Sequence, residues 1–214
     1  MRISLSELEQ ARRDPRAYVR QREGRGGGFF FKSGYATLQR AVFRFHQSKG
    51  NLEEAKKYLQ ESYERQFKHR QKLEGYIEQL ERYTLEFANR GNRVFKVRDR
   101  LVIPVPEELA NQVSVTGQIP RLDFVPSGGY NVWLFAKQPV DWRAELRLPL
   151  IQAAYSKKLT AGLNEVKVGV YDFSTATYTD YSFDEQEVTE ANHELVDLLQ
   201  QVTAISSRNT LGHI

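Results

Sequence analysis

VSVTGQIPRLDFVPSGGYNVWLFAK, residues 113–137, reads as β-structure almost throughout. Residues 113–119, 121–125 and 130–136 alternate apolar and polar side chains or are rich in β-branched and aromatic types, as half-buried and buried strands require. Between the last two stands Pro126-Ser127-Gly128-Gly129. Proline and paired glycines supply the fixed and positive φ angles of a tight turn, so these strands form a hairpin.

Working outward, the helical period gives way to alternation after Gly91, with candidate strands at 93–97 and 100–105. On the C-terminal side a helix is expected over 142–159, then strands at 165–172 and 177–183 around Ser174-Thr175, and a final helix over 184–202. The N-terminal half is helical. Ser4 and Glu7 have capping-box spacing, which predicts a helix from Ser4. Asp14-Pro15 opens a second helix through Tyr18 and Val19. Gly24, Gly26, Gly27 and Gly28, interleaved with Arg22 and Arg25, make a flexible basic loop ahead of Phe29, Phe30 and Phe31. A helix over 34–48 stacks Leu38, Val42 and Phe45 on one face. Asn51 and Glu54 cap a long charged stretch to residue 89, striped with Leu52, Ala55, Leu59, Tyr63 and Phe67, with a bend at Gly75. The expectation is an α/β (α+β) fold: a mixed sheet flanked by helices, with a helical region over 1–92 and a core over 93–214, together one compact domain.

Composition narrows the function classes. The chain has 214 residues, of which 40% are hydrophobic and 27% charged, the balance of a globular protein. No apolar run is long enough to cross a bilayer, and the N-terminus lacks the continuous apolar stretch of a secretory signal. No membrane partner and a cytoplasmic location are therefore expected. With no cysteine there is no disulfide framework, zinc ribbon or cysteine-held iron–sulfur cluster. His46, His69, His193 and His213 are too scattered for metal-ligand spacing. GRGGG lacks the lysine and hydroxyl residue of a Walker loop, and no G-x-S-x-G is present. A net charge of +4 favours polyanions only where the excess is gathered on one face.

Three stretches resemble the RecB-like branch of the PD-(D/E)XK nuclease superfamily: ISLSELEQARRDPRAYV (3–19), GQIPRLD (117–123) with YNVWLFAK (130–137), and LPLIQAAY (148–155). The resemblance implies a restriction-endonuclease-like sheet. In that family the second stretch carries a glycine, two residues, an aspartate and often an arginine, and the next strand an acid, one residue and a lysine. The two acids hold Mg²⁺ at the scissile phosphate and the lysine orients water. Here Gly117, Arg121 and Lys137 match, but Pro120 and Phe135 stand where the acids belong. A histidine that often lies four residues after an early-helix glycine is absent, since Gly34 leads to Leu38.

This pattern implies a nuclease fold that has given up catalysis and needs no metal or cofactor. It would bind nucleic acid, with DNA expected over RNA, or scaffold other protein subunits in repair, recombination, mobile-element or antiviral-defence complexes. Gln152 and Tyr155 resemble the family's backbone-contacting helix. Arg121, Lys137, Arg147, Lys157 and Lys158 complete the expected phosphate-binding surface. Two alternatives stay open. A register slip of three residues makes Asp123 the first acid, with Asp141 or Glu145 as a displaced second and Lys137 beside them, which restores a Mg²⁺-dependent nuclease. Alternatively the 51–89 stretch is a helical arm that presents Tyr58, Tyr76 and Tyr83 to a protein partner.

Overall fold

The computed structural model describes residues 1–23, 33–67, 70–137 and 140–211, with side chains to residue 208. The glycine loop with Arg25 and Phe29–Phe31, and also His69 and His213, lie outside the described residues. The chain runs β1 (Arg2–Ser4), α1 (Leu8–Arg13), α2 (Pro15–Glu23), α3 (Gly34–Gln47), α4 (Leu52–Gln66) and α5 (Leu73–Arg90). There follow β2 (Arg93–Ile103), a short α6 (Glu107–Ala110), β3 (Ser114–Phe124), β4 (Tyr130–Ala136), α7 (Arg147–Leu159), β5 (Val166–Asp172), β6 (Thr177–Tyr181) and α8 (Glu185–Leu211). This is the expected mixed α+β architecture.

β2, β3 and β4 form an antiparallel meander, α7 carries the chain across, β5 returns parallel to β4, and β6 closes antiparallel on β5. Gly128 and Gly129, with φ of 97° and 86°, make the turn that the sequence predicted. The candidate strand pairs 93–97 with 100–105, and 113–119 with 121–125, are each one continuous strand. Among the described residues no helix is long and apolar enough to cross a membrane.

Several expectations are corrected. Ser4 ends a strand rather than beginning a helix: residues 2–4 pair in parallel with 114–116, and Leu5 N–H donates to the Thr116 carbonyl. The Ser4–Glu7 bonds do form, with Ser4 N–H and Oγ both donating to Glu7 Oε2 at 2.9 and 2.8 Å, but they tie a turn ahead of α1. The 51–89 stretch is two helices, broken after Gln66 rather than bent at Gly75, which lies inside α5 with open space around it. Asn51 caps α4 as expected, accepting from Glu54 N–H at 3.0 Å. The last helix runs on to Leu211.

Two unlike cores cover the sheet. One is largely aliphatic, built from β-residues such as Val132, Val168 and Leu122 against α7 and α8. The other is aromatic and joins Tyr171 and Phe173 to α3, α4 and α5 through Phe45, Tyr63 and Tyr83. Gly169 permits the second, because a Cβ there would overlap the Trp133 ring.

Candidate functional site

The site begins with a gap in hydrogen bonding. On the edge of β3 away from β2, residues 114–116 pair with β1 and residues 121–124 pair with β4, leaving 117–120 without a strand partner on that side among the described residues. Gly117, Gln118 and Pro120 thus face an open notch, closed by Leu5 on one flank and Leu134 and Phe135 on the other. Gln39 and Phe43 from α3, Trp142, and Arg147 and Ile151 from α7 complete a groove of about 330 Å³. Gly117 has to be a glycine because any Cβ would strike the Leu5 side chain. Pro120 has no N–H to leave unpaired, which suits it to this position.

Pro120 also marks a change of face. Ile119 and Leu122 both belong to the aliphatic core, whereas Arg121 meets Tyr83 of α5, so strict alternation is interrupted between them. On β2 the corresponding residue is Arg98, between the Val97–Arg121 and Asp99–Ile119 pairs. Its φ is 57°, a left-handed conformation that costs a non-glycine residue about 1–2 kcal/mol. The consequence is a guanidinium 5.5 Å from the centre of the Phe43 ring, within range of a cation–π contact.

Phe43 is shared with a second groove of about 730 Å³, lined by Arg40, Arg44, Lys57, Tyr58 and Arg98 together with Glu54 and Glu61. Arg44 is paired with Glu54. Arg40, Lys57 and Arg98 have no carboxylate within ion-pair reach among the described residues. The sequence hid these cations because Arg40 and Arg44 repeat at helical spacing opposite Leu38, Val42 and Phe45, and so look like an ordinary solvated face. The detectable signal was Phe43, an aromatic flanking that polar stripe.

The residues singled out from the sequence scatter. Arg121 and Asp123 are fully buried. Arg121 Nε lies 2.9 Å from Asp123 Oδ1, yet Nε, Nη2 and Oδ1 are not aligned for a hydrogen bond. Arg121 instead donates to the Tyr83 and Tyr178 hydroxyls and lies against the rings of Phe87 and Trp133. Burial pushes the Asp123 carboxyl up, opposed by Arg121. Gln152 is buried with both ends used: its amide donates to the Leu163 and Phe183 carbonyls, and its oxygen accepts from Phe183 N–H. Tyr155 is buried and donates to Asp99 at 2.7 Å. Arg121, Gln152 and Tyr155 thus turn their polar atoms into the core.

Lys158 reaches Asp99 at 2.5 Å. Burial works against the Asp99 charge, but hydrogen bonds from Lys158, Lys96 and Tyr155 prevail and hold its pKa at about 2. Lys137 and Lys157 are exposed. Arg22 donates to the Tyr18 hydroxyl. Arg147 alone of the expected phosphate ligands lines the notch; it pairs with Glu145 at 2.5 Å and lies over Trp142. Burial raises the Glu145 pKa and Arg147 opposes it.

The alternative metal site does not assemble. Asp123 pairs across the sheet with Asn131, and Lys137 lies six residues further along, about 20 Å away at the usual rise per residue. Asp123 is sealed in the aromatic core, and among the described residues no cluster of three His, Cys, Asp or Glu side chains has metal-binding geometry. The helical-arm alternative loses Tyr83, which is fully buried. Tyr58 and Tyr76 are partly buried.

No family model and no curated protein matches the chain. Among solved structures it is similar to "Crystal structure of SSO0001", with 12% identity over 89% of this chain and 85% of that one, at a TM-score of 0.32.

Proposed function

We propose that this chain binds nucleic acid, DNA in the first instance, without cutting it, and that backbone phosphates lie along the groove of Arg40, Lys57 and Arg98. One observation carries the reading: Pro120 and Phe135, the residues at the two acid positions of the RecB-like pattern, line the same notch, which joins a groove with unpaired cations. Side chains of proline and phenylalanine offer a divalent ion no ligand. Phosphate contacts position a nucleic acid without reading its sequence, and the rings of Phe43, Phe135 and Trp142 supply an apolar floor. A subunit of a larger DNA-processing, repair or defence assembly is the setting this activity fits.

The test is equilibrium binding of labelled DNA across a salt series, with Arg40→Glu, Lys57→Glu and Arg98→Glu, and with Mg²⁺ or Mn²⁺ added to look for cleavage. Binding should weaken with salt, and each charge reversal should lower the salt slope by about 0.7–0.9 for every phosphate the variant no longer neutralises. Metal-dependent cutting, or binding indifferent to all three substitutions, defeats the proposal.

A further inference from the structure

A second surface stands apart from the groove. Phe95 and Phe124 remain 60% and 43% exposed, far more than aromatic side chains retained for packing. Both lie against Tyr130: Phe95 at 6.1 Å and 66° between ring planes, Phe124 at 5.8 Å and 81°. Their position is fixed by the backbone. Phe95 is the extra residue where the β2–β3 register shifts between Val94 and Lys96, and Arg93 faces Phe124 across the ladder. Tyr130 follows the glycine turn, where Gly129 approaches the Glu165 carbonyl too closely for any Cβ.

The cluster is bordered by cations. Arg93 and Lys96 flank Phe95 in sequence, and Lys96 and Lys158 converge on Asp99 at 2.7 and 2.5 Å. Asp99 is buried and its carboxylate offsets one of the two lysine charges, so Arg93 and one net lysine charge stand beside the rings. A protein partner would have to bury Arg93 and Lys96 within the apolar centre of its interface, where charges are depleted. A chain carrying a negative charge on every unit and a flat ring beside it fits both features at once.

We infer that Phe95 and Phe124, supported by Tyr130, form a stacking platform for unpaired bases, so that this face takes single-stranded nucleic acid with its phosphates toward Arg93, Lys96 and Lys158. Duplex DNA hides its base faces and gains little here. No residue of the Arg40–Lys57–Arg98 groove takes part in the platform.

The experiment measures affinity for a short oligothymidylate, an abasic deoxyribose-phosphate strand of equal length, and a polyglutamate peptide. The proteins compared are the wild type, Phe95→Ala, Phe124→Ala and Phe95→Trp, each checked for an unchanged melting temperature. Each alanine variant should bind oligothymidylate about five- to one-hundred-fold more weakly, with abasic binding unchanged, while Phe95→Trp retains wild-type affinity. Equal wild-type affinity for the base-bearing and abasic strands overturns the inference, as does unchanged oligothymidylate binding in both alanine variants. Polyglutamate binding that is lost with Phe95→Ala would overturn it too and assign the face to an acidic protein. Charge reversal at Arg40, Lys57 and Arg98 separates the platform from the groove: if only those variants lose oligothymidylate binding, the groove stands without the platform, and if only the alanine variants lose it, the platform stands without the groove.

Discussion

Beneath α7 and α8 the sheet buries Val132, Val168, Leu195 and Leu199, side chains with no polar atom to satisfy, whereas beneath α3 and α5 it buries Arg121, Asp123, Trp133 and Tyr171. The first core is held by apolar burial that tolerates changes of shape. The second surrounds an ion pair with rings and phenols, so its stability rests on a few directional contacts in a medium that penalises any unpaired charge. The aromatic side also builds the proposed binding surface, because Phe43 stacks on Phe135 at 6.3 Å and the α3 cations stand on that wall. The groove is therefore tied to the less forgiving core.

Five substitutions or titrations would break or sharpen this contrast. Asp123→Ala leaves the Arg121 charge buried without a counter-ion and should cost about 3–5 kcal/mol in chemical denaturation. Arg121→Met with Asp123→Leu should recover most of that loss, since replacing both charges removes the desolvation cost; a double variant as unstable as the single one would mean the pair has a structural role beyond charge.

Acid comes next. Burial, and then Arg121, hold the His46 imidazole well below its usual 6.5, and its Nε2 lies 2.6 Å from the Tyr83 hydroxyl. The folded state therefore favours neutral His46. This stabilisation is complete above pH 6.5, where neither state carries the proton. As the pH falls further the unfolded chain takes up a proton that the folded chain refuses, so stability should drop by up to about 1.4 kcal/mol per pH unit until the folded pKa is reached. Denaturation of wild type and His46→Gln between pH 7 and 5 checks the sign: the variant's curve should be flatter.

On the aliphatic side, Ile119→Val should cost only about 0.5–1.5 kcal/mol by the same denaturation assay. A loss as large as that of Asp123→Ala would erase the distinction between the two cores. Smallest in stability is Arg98→Gly, where relief of the left-handed strain and the added backbone freedom nearly cancel, leaving a change within about 1 kcal/mol. Its effect should appear in DNA affinity instead, read from the binding titration.

How much of this was visible beforehand follows from the range of each signal. The β3–β4 hairpin was legible because alternation and a Pro-Ser-Gly-Gly turn are local. β1 was not: Arg2-Ile3-Ser4 is too short to show a period, and its strand character comes from pairing with residues 114–116. The hydrogen bonds of a capping box form equally well in the turn that follows it. Gly75 misled for the opposite reason, since a glycine inside a well-packed helix costs only about 1 kcal/mol and need not break it. The inward turn of Arg121 was beyond reach, because it accompanies a break in alternation at Pro120, opposite a positive φ at Arg98, that nothing in an arginine announces. The basic groove was hidden likewise, being assembled from α3, α4 and β2.

That same left-handed arginine bears on how copies of the chain behave when crowded. Among the described residues β2 is an edge strand of 11 residues that pairs with β3 alone, and a flat edge with exposed Phe95 and Val102 invites a strand from a neighbouring chain to continue the sheet. The register shift after Val94 and the reversed φ at Arg98 interrupt its row of amides and carbonyls at two points, and Lys96, Arg98 and Arg100 repel a like-charged copy. The kink at Arg98 that shapes the proposed groove thus also works against addition of a second copy's strand at this edge.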